Sequence, residues 1–103
     1  MTEPAYVRAV RDLYLQLPNA SDRFSRYDRS LACDLYHRGV PIDTVRNALL
    51  LATARRICRN PNAPSLPPVR SLHYFLHTID EISRQPIPLS YVQYLEHKIT
   101  ELK

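Results

Sequence analysis

Residues 31–59 read LACDLYHRGVPIDTVRNALLLATARRICR, and this stretch decides the fold class. Apolar residues recur at helical spacing on both sides of Gly39, the single glycine of the 103-residue chain. A glycine adopts the left-handed backbone conformation that ends a helix, and a proline is tolerated in the first turn of the next one. The stretch therefore predicts a helix, a tight turn and a second helix that ends in a group of arginines.

The same periodicity extends over the rest of the chain, and the nine prolines cluster between the periodic segments. Helices are predicted at residues 3–17, 25–38, from 41 or 43 to 59, 69–83 and from 90 onward. A proline-rich stretch, residues 60–68, is expected to cross the domain in extended form. We therefore expect an all-α single domain over residues 1–103, a bundle of about five helices with a helix-turn-helix-like corner between helices two and three.

Helix three carries apolar residues nearly all round its surface, which is typical of the buried central helix of a bundle. Capping residues support the helix boundaries. Thr2 is expected to cap helix one, Ser25 with Asp28 forms a variant capping box, and Ser90 with Gln93 forms a second box. The seven tyrosines are expected mostly to pack at the edge of the core, with a base-stacking platform as the less favoured alternative.

Charge is unevenly distributed along the chain, whose net charge is +4. No Asp or Glu occurs between Thr44 and Ile79, whereas five arginines do. A basic field of this kind attracts phosphates, acidic proteins or anionic membrane surfaces. Another basic set, Arg23, Arg26 and Arg29, alternates with acids, so local ion pairs are expected there.

The corner itself favours contact with a nucleic acid. Leu35, Gly39 and Val45 have the spacing of the packing residue, turn glycine and anchor of a DNA-binding helix-turn-helix. The first turn of helix three is polar enough to reach base edges, and arginines further along the chain can neutralise phosphates. The candidate nucleic-acid-binding residues are Thr44, Arg46, Asn47, Arg55, Arg56, Arg59 and Arg70. The same corner is common in helical bundles, and the arginines at the end of helix three also suit its macrodipole.

Other chemistries find little in the sequence. His73, His77 and Glu81 have the spacing of one helix face, but no further ligand accompanies them, so we expect a solvated face rather than a metal site. Cys33 and Cys58 lie among apolar residues, and one glycine cannot build a phosphate-binding loop. We expect no catalysis, cofactor, metal or small-molecule substrate. The absence of a signal peptide or membrane span predicts a cytoplasmic protein without membrane contact.

One block, DLYHRGVPIDTVRNALLLATARR followed by PPVRSLHYF and IDEI, resembles a known group of small bacterial helical domains. The shared pattern is Gly-[Val/Ile]-Pro-[Ile/Leu], an arginine-ended helix and Val-Arg-Ser-Leu-x-Tyr-Phe, over roughly residues 28–82. These domains are similar in layout to domains of replication initiators and to small proteins of mobile elements. The resemblance implies a cytosolic bacterial protein connected with DNA. Together with the arginines, it leads us to expect an accessory protein of bacterial replication or mobile elements that binds nucleic acid, with DNA favoured, mainly through arginine–phosphate contacts. The alternative is a non-catalytic protein–protein interaction module that docks its partner in an apolar groove between helices four and five.

Overall fold

Five α-helices and one 3₁₀ helix form the structure, a computed structural model that describes residues 1–18, 22–57, 62 and 66–101. The elements are α1 (Glu3–Leu15), α2 (Arg26–His37), α3 (Ile42–Ile57), the 3₁₀ helix (Leu72–Phe75), α4 (Leu76–Arg84) and α5 (Leu89–Glu101). The described residues include no strand. The predicted all-α bundle is confirmed.

The corner between α2 and α3 is closed as the sequence predicts. Gly39 has φ of 75°, and its N–H donates to the carbonyl of Tyr36 at 3.0 Å. The N–H of Val40 donates to the carbonyl of Leu35 at 3.1 Å, which completes a Schellman motif. The hydroxyl of Tyr6 in α1 donates to the carbonyl of Val40 at 2.9 Å, so the first helix holds the corner in place.

Helix α3 is the centre of the bundle, as expected from its apolar composition. It packs against α1, α4 and α5 and contacts the 3₁₀ helix. Its buried residues are Val45, Ala48, Leu49, Leu51, Ala52, Thr53 and Ala54. They form one core with Tyr14 of α1 and Phe75 of the 3₁₀ helix, whose rings meet edge to face with centroids 6.2 Å apart. Only the ends of α3 and a narrow strip along it reach solvent.

Three helix starts differ from the predicted positions, by one residue at α3, by one or two at α5 and by three at the fourth helix. Helix α3 begins at Ile42, between the two predicted starts, and the carbonyl of Pro41 accepts from the N–H of Val45. The predicted fourth helix opens as a 3₁₀ turn at Leu72 because the side chain of Ser71 caps it by accepting from the N–H of His73. Helix α5 begins at Leu89, so Ser90 lies inside it and caps nothing. Most of the proline-rich stretch, residues 60–68, lies outside the described residues.

Candidate nucleic-acid interface

Asp28 joins the start of α2 to the start of the 3₁₀ helix. Its Oδ2 accepts from the N–H and the hydroxyl of Ser25, at 2.9 and 3.0 Å, and Ser25 in return accepts from the N–H of Asp28. Its Oδ1 accepts from the hydroxyl of Ser71 at 3.1 Å and from the N–H of Leu72 at 3.0 Å. The predicted local capping box is therefore confirmed, and the same carboxylate also caps a turn 44 residues further along the chain.

The carboxylate of Asp28 is almost fully buried, with 1% of the residue exposed. Burial raises its pKa, but the hydrogen bonds from Ser25, Leu72 and Ser71 outweigh that effect and leave the pKa below its ordinary value. Asp28 therefore stays ionised inside the fold without an arginine partner. The described contacts of Asp28 are with Ser25, Ser71 and Leu72 rather than with a neighbouring arginine, and Arg26 and Arg29 are exposed.

A group of aromatic and basic side chains surrounds this junction on the outside of the protein. We call it the tyrosine–arginine surface and define it by Tyr27, Arg56, Arg70, His73 and Tyr74. The hydroxyl of Tyr27 lies 3.4 Å from Nδ1 of His73, and the guanidinium of Arg56 lies 5.5 Å from the ring centroid of Tyr74. Tyr27 is 56% exposed and Tyr74 is 47% exposed. Arg56 also donates to the carbonyl of Pro67, so its position over the ring is fixed on two sides.

Arg70 directly precedes Ser71, the residue that Asp28 anchors, and it is exposed. No acid occurs in the segment from Thr44 to Ile79, which supplies four of the five residues of the tyrosine–arginine surface. The acid that contacts this junction is Asp28, and its oxygens are occupied and buried. The five side chains of the surface thus include two arginines and no acid, the charge of Asp28 is buried, and the arginines present donors of the kind that bind phosphate oxygens.

Two other predicted arginines are held by acids from the last two helices. Both guanidinium end nitrogens of Arg55 donate to Glu81 of α4, at 2.7 and 2.8 Å. This hydrogen bonding raises the pKa of Arg55 and lowers the pKa of Glu81. Arg46 forms an ion pair with Glu96 of α5. The segment without acids is thus basic in the sequence, but folding brings carboxylates to both of these arginines.

The remaining residues of the predicted nucleic-acid-binding set are Thr44, Asn47 and Arg59. Thr44 and Asn47 are half-buried on the first half of α3. Arg59 lies outside the described residues. Of the predicted set, Arg56 contacts Pro67 and Tyr74, Arg70 directly precedes the anchored Ser71, and Arg46 and Arg55 bind carboxylates of α5 and α4.

The sequence reasoning missed the exposure of four tyrosines, two of which belong to this surface. Tyr27, Tyr74, Tyr91 and Tyr94 are exposed, so the expectation of packing at the core edge is wrong for them. The signal was available for Tyr74, which falls between the apolar positions 72 and 75 and so outside the buried stripe.

Metal and nucleophile chemistry find no geometric support in the described part of the chain. No three His, Cys, Asp or Glu side chains approach one another there as metal ligands. His73 belongs to the 3₁₀ helix and contacts Tyr27, whereas Glu81 binds Arg55, so these residues do not form one site. Burial raises the pKa of the Cys33 thiol, and the neighbouring Glu3 adds to this effect, which disfavours the reactive thiolate.

An aromatic groove lies beside the C-terminal half of α3, on the side that packs against α5. Tyr91 and Tyr94 of α5 stack with ring centroids 6.0 Å apart and planes 21° apart. They border a cleft of about 200 Å³ against Leu51 and Ala54 of α3. A second cleft, of about 320 Å³, follows the link between α4 and α5. The first cleft lies between α3 and α5. The second is lined by residues of α4 and α5 together with α3, at the place where the sequence predicts a groove.

Within the described residues, no helix is long and apolar enough to cross a membrane. No protein-family model matches the chain, and neither a curated protein nor a solved structure is significantly similar to it. The resemblance to helical domains of replication and mobile elements accordingly stays a prediction.

Proposed function

We propose that this protein binds the backbone of a nucleic acid, with DNA favoured, through the tyrosine–arginine surface. The observation that carries the proposal is the junction at Asp28, where a buried carboxylate anchors the segment that carries Arg70 and Tyr74, and Arg56 of α3 lies over the ring of Tyr74. Arginine side chains bind phosphate oxygens through paired N–H donors. Arg56 uses one nitrogen on the carbonyl of Pro67 and retains other donors for a ligand. An accessory role in bacterial replication or in a mobile element would need only such non-catalytic binding.

Ion pairing divides the predicted arginines into two groups. A phosphate that approached Arg46 or Arg55 would compete with Glu96 or Glu81, so these two arginines are expected to contribute less to affinity. Arg70 has no such competitor among the described contacts. Its exposure also means that its removal should not disturb the core. Substitution of Arg70 is therefore the most direct test of the proposal.

The test is a salt titration of binding to fluorescently labelled DNA, measured by anisotropy. The wild type should bind at about 50 mM salt, and its affinity should fall as salt rises. Arg70→Ala should lower the slope of log affinity against log salt by about one, the value expected for a lost phosphate contact. Arg8→Ala, which removes an exposed arginine from α1, serves as the matched control and should change the slope less. Absence of binding by the wild type at low salt would refute the proposal.

A protein–protein interaction module is the second candidate, and the aromatic groove favours it. Tyr94 is 55% exposed, and the neighbouring Leu89 at the start of α5 is 68% exposed. Exposed tyrosines are frequent at the centres of protein interfaces. In this alternative, Tyr94→Ser would abolish capture of one partner in a nuclease-treated extract, and Arg70→Ala would leave that capture unchanged.

A further inference from the structure

We propose that the ligand of the tyrosine–arginine surface is single-stranded nucleic acid, whose unstacked bases stack on Tyr74 and Tyr27. This inference rests on the proposed function and names its substrate class. Aromatic side chains bind single strands because every base has a face available for stacking once it leaves the duplex. In a duplex those faces are covered by neighbouring base pairs, and a surface tyrosine has nothing to stack on.

The two rings are placed by structure rather than left to move independently. Tyr27 follows the first residue of α2, and Tyr74 lies within the 3₁₀ helix. Asp28 ties the starts of these two elements together through Ser71 and Leu72. The contact between Tyr27 and His73 adds a second tie across the same junction. A platform held in this way loses little conformational freedom when a base binds.

Cations lie next to the rings, and because Arg56 occupies one face of the Tyr74 ring, a base would stack on the opposite face. The guanidinium of Arg56 lies over the ring of Tyr74 at 5.5 Å, and Arg70 precedes the junction by one residue. Aromatic rings interleaved with arginines are the arrangement that binds bases and phosphates together. The positive charge of this surface complements a polyanion, which a neutral or basic protein partner would not satisfy.

The packing of the helices also disfavours insertion of α3 into the major groove of a duplex. Reading a major groove requires a helix that projects from the domain and enters a groove about 12 Å wide. The second helix of the corner is α3, but α1, α4, α5 and the 3₁₀ helix all pack against it, so it does not project from the domain. Its polar residue Arg46 is paired with Glu96 of α5, which packs along it. Binding of a single strand requires only an exposed surface, and the tyrosines of the tyrosine–arginine surface are exposed.

The experiment compares oligothymidine and oligouridine of roughly 12 nucleotides with a duplex of the same length, at matched salt. Both single strands, or either one, should bind more tightly than the duplex. Tyr74→Ala should weaken single-strand binding by roughly 5- to 100-fold, the range measured when one stacked base loses its aromatic partner. Tyr74→Phe keeps the ring and should bind like the wild type. Tyr94→Ala removes a comparably exposed tyrosine from α5 and should also bind like the wild type.

The outcomes separate the two proposals. No binding of any nucleic acid at low salt would end the proposed function and this inference together. Duplex and single strands bound equally, with Tyr74→Ala matching Tyr94→Ala, would overturn the inference and leave backbone binding standing. A loss in Tyr74→Phe equal to that in Tyr74→Ala would also overturn it, because the ring alone would then not supply the contact. Circular dichroism of each variant confirms that the helices are intact.

Discussion

Replacing Asp28 with alanine tests whether one carboxylate holds two elements of this fold. The remote effect is the larger one, because the buried N–H of Leu72 would lose its acceptor, which costs about 1–3 kcal/mol. Loss of the capping box at Ser25 adds about 1 kcal/mol. We therefore expect Asp28→Ala to lower the free energy of unfolding by about 2–4 kcal/mol and the melting temperature by about 10–20 °C.

Urea denaturation and thermal melting followed by circular dichroism measure this loss. Asp34→Ala is the matched control, since Asp34 is an exposed acid of the same helix, and it should change stability by less than about 0.5 kcal/mol. The pH dependence has a defined sign. The folded state lowers the pKa of Asp28, so the stabilisation is complete above the ordinary value of about 4 and is lost as pH falls through the lower folded-state value. An Asp28→Ala variant as stable as Asp34→Ala at neutral pH would refute the reasoning.

Three further predictions concern the corner, the core and the ion pairs. Gly39→Ala should lower the free energy of unfolding by about 1–2 kcal/mol because of its φ of 75° alone, since an added Cβ meets no atom within 4 Å. Chemical denaturation measures this loss, and a larger loss would show that the added Cβ also clashes at the corner. Leu49→Ala should cost about 2–5 kcal/mol and Leu15→Ala less than about 1 kcal/mol, because 1% of Leu49 and 41% of Leu15 is exposed. Glu81→Gln should free a cation of α3 and increase the salt dependence of nucleic-acid binding, and an unchanged slope in the anisotropy assay would exclude that cation from the interface.

The helical architecture was predictable because its determinants are local. Periodic apolar residues define the helices, and Gly39 closes α2 with the hydrogen bonds expected of a glycine in that position. The start of α5 was not predictable from its capping pattern. Ser90 and Gln93 fit a capping box, but the carbonyl of Pro88 accepts from the N–H of Val92, and the helix begins before the serine.

The candidate site was less predictable because it depends on contacts between distant residues. Asp28 is recognisable in the sequence as a local cap, whereas its bond to Leu72 spans 44 residues. Arg55 finds Glu81 at a separation of 26 residues, so counting acids along the chain overstated the charge that α3 exposes. The exposure of Tyr27 and Tyr74 follows from how the 3₁₀ helix packs against α2. The apolar pattern within one segment does not predict how two segments pack.

The ion pairs between early and late helices have a consequence for the order of synthesis. Arg38, Arg46 and Arg55 pair with carboxylates of α4 and α5, and each arginine precedes its partner in the chain. A chain made from its N-terminus therefore presents these cations before their counter-charges exist. These three arginines are unpaired with α4 and α5 in the unfinished chain, and they attract nearby polyanions more strongly until those helices dock. Completion of the fold thus confines the positive charge to the side chains that the last two helices leave uncovered.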